Sequence, residues 1–195
     1  MPHISIHIEG TRIVNKDNPL YSVYLQLLKE ELIPAMGCTE PIAIAYAAAK
    51  ARETLGALPD RVAIGVSNNI IKNVKSVVVP NTDGMKGIEA SAAAGIIGGD
   101  ASLVLEVISK VTPEQKAEMY AFLRDVPTTV EAVDSDVVFV IIVTVHKGEE
   151  SATVRIAHFH TNIISIEKNG KVIFQNEESP ASCNQDREES AQEDV

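Results

Sequence analysis

Apolar residues recur along this chain at two spacings, and the change from one to the other divides it into a helical front and a sheet-forming back. Residues 3–8 alternate His, Ile, Ser, Ile, His, Ile, a period of two that predicts a short edge strand with His3 and His7 on its polar face. Asn18-Pro19 then opens a helix with Tyr21, Tyr24, Leu25, Leu28 and Leu32 on one stripe, ended by Pro34. After the connector Met36-Gly37-Cys38, Thr39 or Glu40 can cap a second helix, Pro41 suits its first position and Gly56 its C-terminal cap. Residues 42–49, Ile-Ala-Ile-Ala-Tyr-Ala-Ala-Ala, are apolar on every side, so this helix belongs inside a packed layer, and its alanines permit close helix–helix approach.

Arg61–Ser67 reads as a strand, and Lys75–Val79 as an apolar run stopped by Pro80. Asn81–Gly87 is a turn-forming segment ahead of a small-residue helix over Ile88–Ile97, which Gly98-Gly99 stops. Asp100 is expected to cap a further helix carrying Leu103, Val104, Val107 and Ile108 on one face. Thr112-Pro113-Glu114-Gln115 is a capping box that launches a helix to about Arg124. From Val133 the period becomes two. Asp136–His146, Ser151–His160, Asn162–Glu167 and Lys171–Phe174 read as strands joined by hairpin turns at Lys147–Glu150 and Lys168-Asn169-Gly170. The predicted class is α+β: a helical block with an Ala-rich buried helix, plus an antiparallel sheet formed mainly by the C-terminal third, which Arg61–Ser67 joins. The expected organisation is an N-terminal extension at 1–17, the α+β region at 18–175 and a disordered acidic tail at 176–195.

Charge refines this picture. Of a net charge of −10 at pH 7, −6 falls between Asn176 and Val195, so the acidity is largely a property of the tail. A negative body disfavours nucleic acid as a partner, because a phosphate backbone is held by surplus Lys and Arg. No uninterrupted apolar run approaches the roughly 18 residues of a membrane span, and the first residues lack the basic and apolar regions of a secretory leader. Two cysteines make no secreted disulfide framework, so the expected compartment is the cytoplasm.

The candidate chemistry starts at Cys38. A thiol at a helix N-terminus feels the positive end of the dipole, which favours the thiolate, the form that attacks substrates or binds soft metals. Metal ligand, nucleophile and small packing residue are all open from local physics. Glu40 can serve as a base or simply as a helix-start charge. The turn at Asn81–Gly87, with Thr82 and Gly84, can offer N–H groups to a carboxylate or phosphate, with Lys86 pairing an anion, or be an ordinary turn. It is not a Walker loop: Gly87, rather than Ser or Thr, follows Lys86. Alternation would put His158 and His160 on one strand face about 7 Å apart, where one of them can donate or accept a proton. Asn68-Asn69 is a polar pair at a strand end.

Several blocks in this order resemble one family. Met36-Gly37-Cys38-Thr39-Glu40-Pro41, Val66-Ser67-Asn68-Asn69-Ile70-Ile71-Lys72-Asn73, the Pro80–Gly87 turn, Gly98-Gly99-Asp100 and His160-Thr161-Asn162-Ile163 together look like the N-terminal part of the serine dehydratase-like alpha-chain superfamily, in its L-cysteine desulfidase branch. The resemblance runs from about Asn18 to Phe174. It implies a lyase with a [4Fe–4S] cluster held by three cysteines, whose open iron acts as a Lewis acid. Such an enzyme eliminates sulfide or water from a small amino acid, L-cysteine or L-serine, to give pyruvate and ammonia. By position Cys38 resembles the family's N-terminal cluster cysteine. His160 and Lys86 are then expected catalytic residues, with Asn68, Asn81, Thr82 and Gly84 at the substrate. Cys183 sits in no matching motif, and the family's remaining cluster cysteines lie in a C-terminal helical block. The resemblance therefore implies a portion of such an enzyme, completed by a partner chain or a missing C-terminal half, or else a catalytically inactive truncated homologue that binds a small molecule.

Overall fold

A computed structural model describes residues 20–31 and 35–176. The expected strand at 3–8, the start and end signals at Asn18-Pro19 and Pro34, and the tail with Cys183 lie outside the described residues. The chain divides into two compact units at Pro34/Ala35. In the first, helix α1 spans Tyr21–Glu31, and Tyr24, Leu25 and Leu28 of its apolar stripe are exposed.

The second unit is a helical layer on one face of a six-stranded sheet. Helix α2 spans Thr39–Leu55 and begins where Cys38 leaves the helical region, at φ −63° and ψ 122°. It ends at Gly56, whose φ of 81° places it in the left-handed region that a residue without Cβ enters freely. Every residue from Ile42 to Ala49 except Tyr46 is buried. The helix lies inside a packed layer, as its apolar pattern implied, and its own chain covers it. Strand β1 (Arg61–Val66) leads into α3 (Asn68–Val74), a short helix that the apolar pattern did not announce. The run expected at Lys75–Val79 forms only a single bridge, Val78 to Lys86, closing the Pro80–Gly87 turn.

Helix α4 (Ile88–Gly98) lies against α2 with backbones nearly touching. A Cβ on Gly95 would collide with the Ala45 carbonyl oxygen, and one on Gly99 would stand 2.8 Å from Ala49 Cβ. Two contacts with the same residue offset mean that α2 and α4 run parallel. The next element is not the expected amphipathic helix. It is a short 3₁₀ segment, Ala101–Glu106, broken at Val104, whose φ of 51° and ψ of −111° are not helical. Thr112 and Gln115 form the predicted reciprocal cap of α5 (Pro113–Asp125).

Strand β2 (Thr128–Ala132) pairs parallel with β1 at the sheet edge. It was not foreseen, being short and only half-buried. Strands β3 (Val140–Lys147), β4 (Glu150–Ala157), β5 (Ile163–Lys168) and β6 (Lys171–Gln175) complete the order β2-β1-β3-β4-β5-β6, every pair but the first antiparallel. This is the α+β class read from the sequence. Val62, Ile64, Val66, Ile141, Val143, Val145, Val154 and Ile156 form the face buried under α2 and α4. The opposite side of β3 and β4 carries half-buried Thr144 and Thr153, whose hydroxyls lie 3.0 Å apart. Among the described residues no helix is long and apolar enough to cross a membrane.

Candidate functional site

The predicted chemistry gathers at one end of the sheet. Here β1 and β4 finish, β3 and β5 begin, and α2 starts. Gly37 takes φ 116°, a left-handed value that turns the chain into Cys38 while its Cα faces Pro80. The Cys38 thiol is exposed and donates to Glu40 Oε2 at 3.0 Å. The other carboxylate oxygen of Glu40 accepts from Asn73 Nδ2 at 3.3 Å, which ties α3 to the mouth of α2. Thr39 Oγ1 lies 3.1 Å from His160 Nε2, across 121 residues of sequence. The His160 ring packs on Phe139, centroids 4.5 Å apart and planes tilted 56°.

Parallel packing adds a second helix end. The offset that sets Ala45 against Gly95 and Ala49 against Gly99 carries Cys38 to the level of Ile88, the first residue of α4. Neither α2 nor α4 has a side-chain N-cap, whereas α5 has a complete one. The two helices thus start at one level, each with a carboxylate in its first turn, Glu40 in α2 and Glu89 in α4.

Electrostatics corrects the expectation of a thiolate. Burial, and then the hydrogen bond and charge of Glu40, push the Cys38 thiol above its usual range. Glu40 sits at N2 of the helix and takes up the favourable potential itself. Its carboxyl is held below the usual range, chiefly by the Cys38 hydrogen bond. Partial burial pushes the His160 imidazole down, against the opposing pull of Glu40. At neutral pH the site therefore holds a protonated thiol, a carboxylate and a neutral imidazole.

The remaining predicted residues fall into two groups. Asn81 (φ 56°) and Gly84 (φ 92°) shape the turn by positive φ. The Asn81 amide donates to Ile108 O at 2.9 Å, and the buried Thr82 hydroxyl donates to Val79 O at 2.7 Å. Both side chains hold the turn together. Lys86 and Asn68, by contrast, are exposed, Lys86 just before α4 and Asn68 at the start of α3. The expectation that His158 and His160 share a strand face fails: β4 ends at Ala157, His158 takes φ 69°, and 158–161 form a turn. That turn swings His160 toward Thr39. Thr39, Asn73 and Phe139 were missed as partners in the site, because nothing local in the sequence marks a contact made across the fold.

Among the described residues no three His, Cys, Asp or Glu side chains are grouped to hold a metal ion, and Cys38 is the free cysteine. One thiol beside one carboxylate does not fit the ligand set of a whole iron–sulfur cluster. A groove of about 680 Å³ does exist, lined by Arg52, Glu53, Leu58, Gly99 and Asp100 among others. It lies at the far end of α2, roughly 24 Å from Cys38 at the rise of an α-helix, and contains none of the predicted residues.

The fold and site define an α+β chain with an exposed thiol at paired helix N-termini. In sequence the chain is similar to UPF0597 proteins. It is 53% identical over 161 residues to one from Desulfitobacterium hafniense, covering 83% of this chain and 37% of that protein. It is 45% identical over 159 residues to one from Treponema denticola, with 82% and 37% covered. With one from Lachnoclostridium phytofermentans it shares 49% over 158 residues, with 81% and 38% covered. The chain thus spans less than two fifths of the length of these relatives. No protein-family model and no solved structure matches it.

Proposed function

We propose that this chain is a portion of an iron–sulfur lyase that eliminates sulfide or water from a small amino acid, with Cys38 as one ligand of a cluster completed from outside the described residues. The carrying observation is the convergence of Cys38, Thr39, Glu40 and His160, three of them singled out from the sequence for their chemistry, at the start of α2. The span of under two fifths of the relatives agrees with a site completed by further polypeptide.

In this reading the exposed Lys86, just before α4, receives the substrate carboxylate. His160, neutral through burial, accepts the α-proton at the ring nitrogen that Thr39 does not engage, while Thr39 fixes the ring through Nε2. The Cα–H electron pair forms the Cα–Cβ double bond as the β-substituent leaves with its own pair. The resulting aminoacrylate takes up water and yields pyruvate and ammonia. The described residues do not hold a cluster by themselves.

The test is anaerobic. The chain is grafted in place of the matched segment of the Desulfitobacterium hafniense relative, loaded with iron and sulfide, and given L-cysteine or L-serine. Pyruvate release that Cys38→Ser abolishes is the expected result. No pyruvate, with iron content unchanged by Cys38→Ser, would overturn the proposal. The second reading, a catalytically inactive truncated homologue that binds an amino acid, is favoured by the single described thiol. It predicts calorimetric binding to the 195-residue chain without turnover under any iron loading.

A further inference from the structure

We infer that the groove at the C-terminal end of α2 binds a small aliphatic zwitterion, a free amino acid whose carboxylate pairs with Arg52 and whose ammonium group pairs with Asp100 and Glu53. The groove lies at the opposite end of α2 from Cys38, so it is a second site and does not rest on the lyase reading.

The groove is a step left by the parallel packing of α2 and α4. Ala49 meets Gly99, the residue after α4, and α2 then runs on to Leu55, roughly 9 Å further at the rise of an α-helix. The space of about 680 Å³ beside that last stretch is bounded by residues 99–101 and has the size of a small-molecule site. Arg52 lines it, half-buried. Among the described residues no carboxylate or other acceptor engages its guanidinium, whereas Lys50, Lys110, Lys116 and Arg124 are each in an ion pair. A planar fork of N–H donors that has given up part of its water is matched by a carboxylate. Glu53 and Asp100 line the same groove, so it carries two negative charges to one positive. That balance repels a phosphate dianion and attracts an ammonium group. Each acid has an oxygen to offer: Glu53 gives Oε1 to Lys50, and Asp100 gives Oδ1 to Ser102 while Oδ2 has only the exposed Lys110 at 3.8 Å. The rest of the lining is glycine or apolar, with Leu58 50% exposed, which suits a short hydrocarbon side chain.

The test titrates the 195-residue chain with L-valine and follows the backbone amides by NMR. Saturable shifts of the Gly56, Gly99 and Ala101 amides are expected at millimolar L-valine. Arg52→Gln and Asp100→Asn should each weaken that binding by about tenfold or more, and so should exchanging the probe for L-valine methyl ester or N-acetyl-L-valine. The two blocked probes keep the test decisive if a variant fails to fold. No shift at these amides, or a blocked probe bound as tightly as L-valine, overturns the inference. Inorganic phosphate bound as tightly as L-valine overturns it as well. Shifts confined to Cys38 and His160 overturn this site and leave the lyase reading standing.

Discussion

Cys38 Sγ donates to Glu40 Oε2 across 3.0 Å at the first turn of α2. The pair decides the resting state of the site. A thiol placed there alone would be drawn toward thiolate by the helix dipole. Burial first, and then the carboxylate two residues on, raise the thiol so that it keeps its proton.

Glu40→Gln removes both the charge and the strong acceptor. Burial still raises the thiol pKa, but the contributions of Glu40 disappear, so the thiol titrates lower than in the parent chain. Alkylation of Cys38 by iodoacetamide at neutral pH should therefore run faster, with its pH–rate midpoint moved down. An unmoved midpoint would separate Glu40 from the thiol.

His160 titrates below its ordinary value of 6.5, from burial, while Glu40 pulls it upward. Removing that charge in Glu40→Gln lowers the midpoint further, read by NMR of the imidazole protons. The linkage has a definite sign. The unfolded chain binds the proton more readily, so this group leaves stability intact above pH 6.5 and erodes it as pH falls below that value toward the lower folded pKa. His160→Gln should flatten this part of the stability–pH curve.

Thr82 separates scaffold from ligand roles within the turn. Its hydroxyl is buried and donates to Val79 O. Thr82→Val leaves that carbonyl without its partner and should cost about 1–3 kcal/mol in denaturant unfolding. Lys86→Ala and Asn68→Ala, at exposed positions, should stay within about 0.5 kcal/mol of the parent chain. If either lowers amino-acid affinity in calorimetry at unchanged stability, a substrate role follows for that residue.

Gly95→Ala tests the helix crossing that aligns the two N-termini. Its Cβ would meet the Ala45 carbonyl, a backbone atom with no rotamer to yield. Destabilisation of about 3 kcal/mol or more is expected by chemical denaturation. Ala92→Gly, in the same helix without that contact, should cost about 1 kcal/mol from helix propensity and a little more from its lost methyl. Equal effects would mean that the crossing is looser than described.

The sequence by itself determined whatever is periodic or punctuated. The all-apolar run at 42–49 meant burial, Thr112 and Gln115 meant a cap, Asn169-Gly170 meant a hairpin, and alternation after Val133 meant a one-sided sheet. Each of these signals lies within a few residues of its consequence. Elements whose support comes from elsewhere were not legible: β2 exists because β1 offers an edge, and α3 because Ile70 and Val74 fill the core. The same divide runs through the site. Cys38 and His160 could be named from the chain, but the turn at 158–161 brings His160 to Thr39, and the seven-residue α3 brings Asn73 to Glu40. Tertiary structure also decided the state of the thiol. A pKa depends on burial and neighbouring charge in space, and a motif records only which residues are adjacent along the chain.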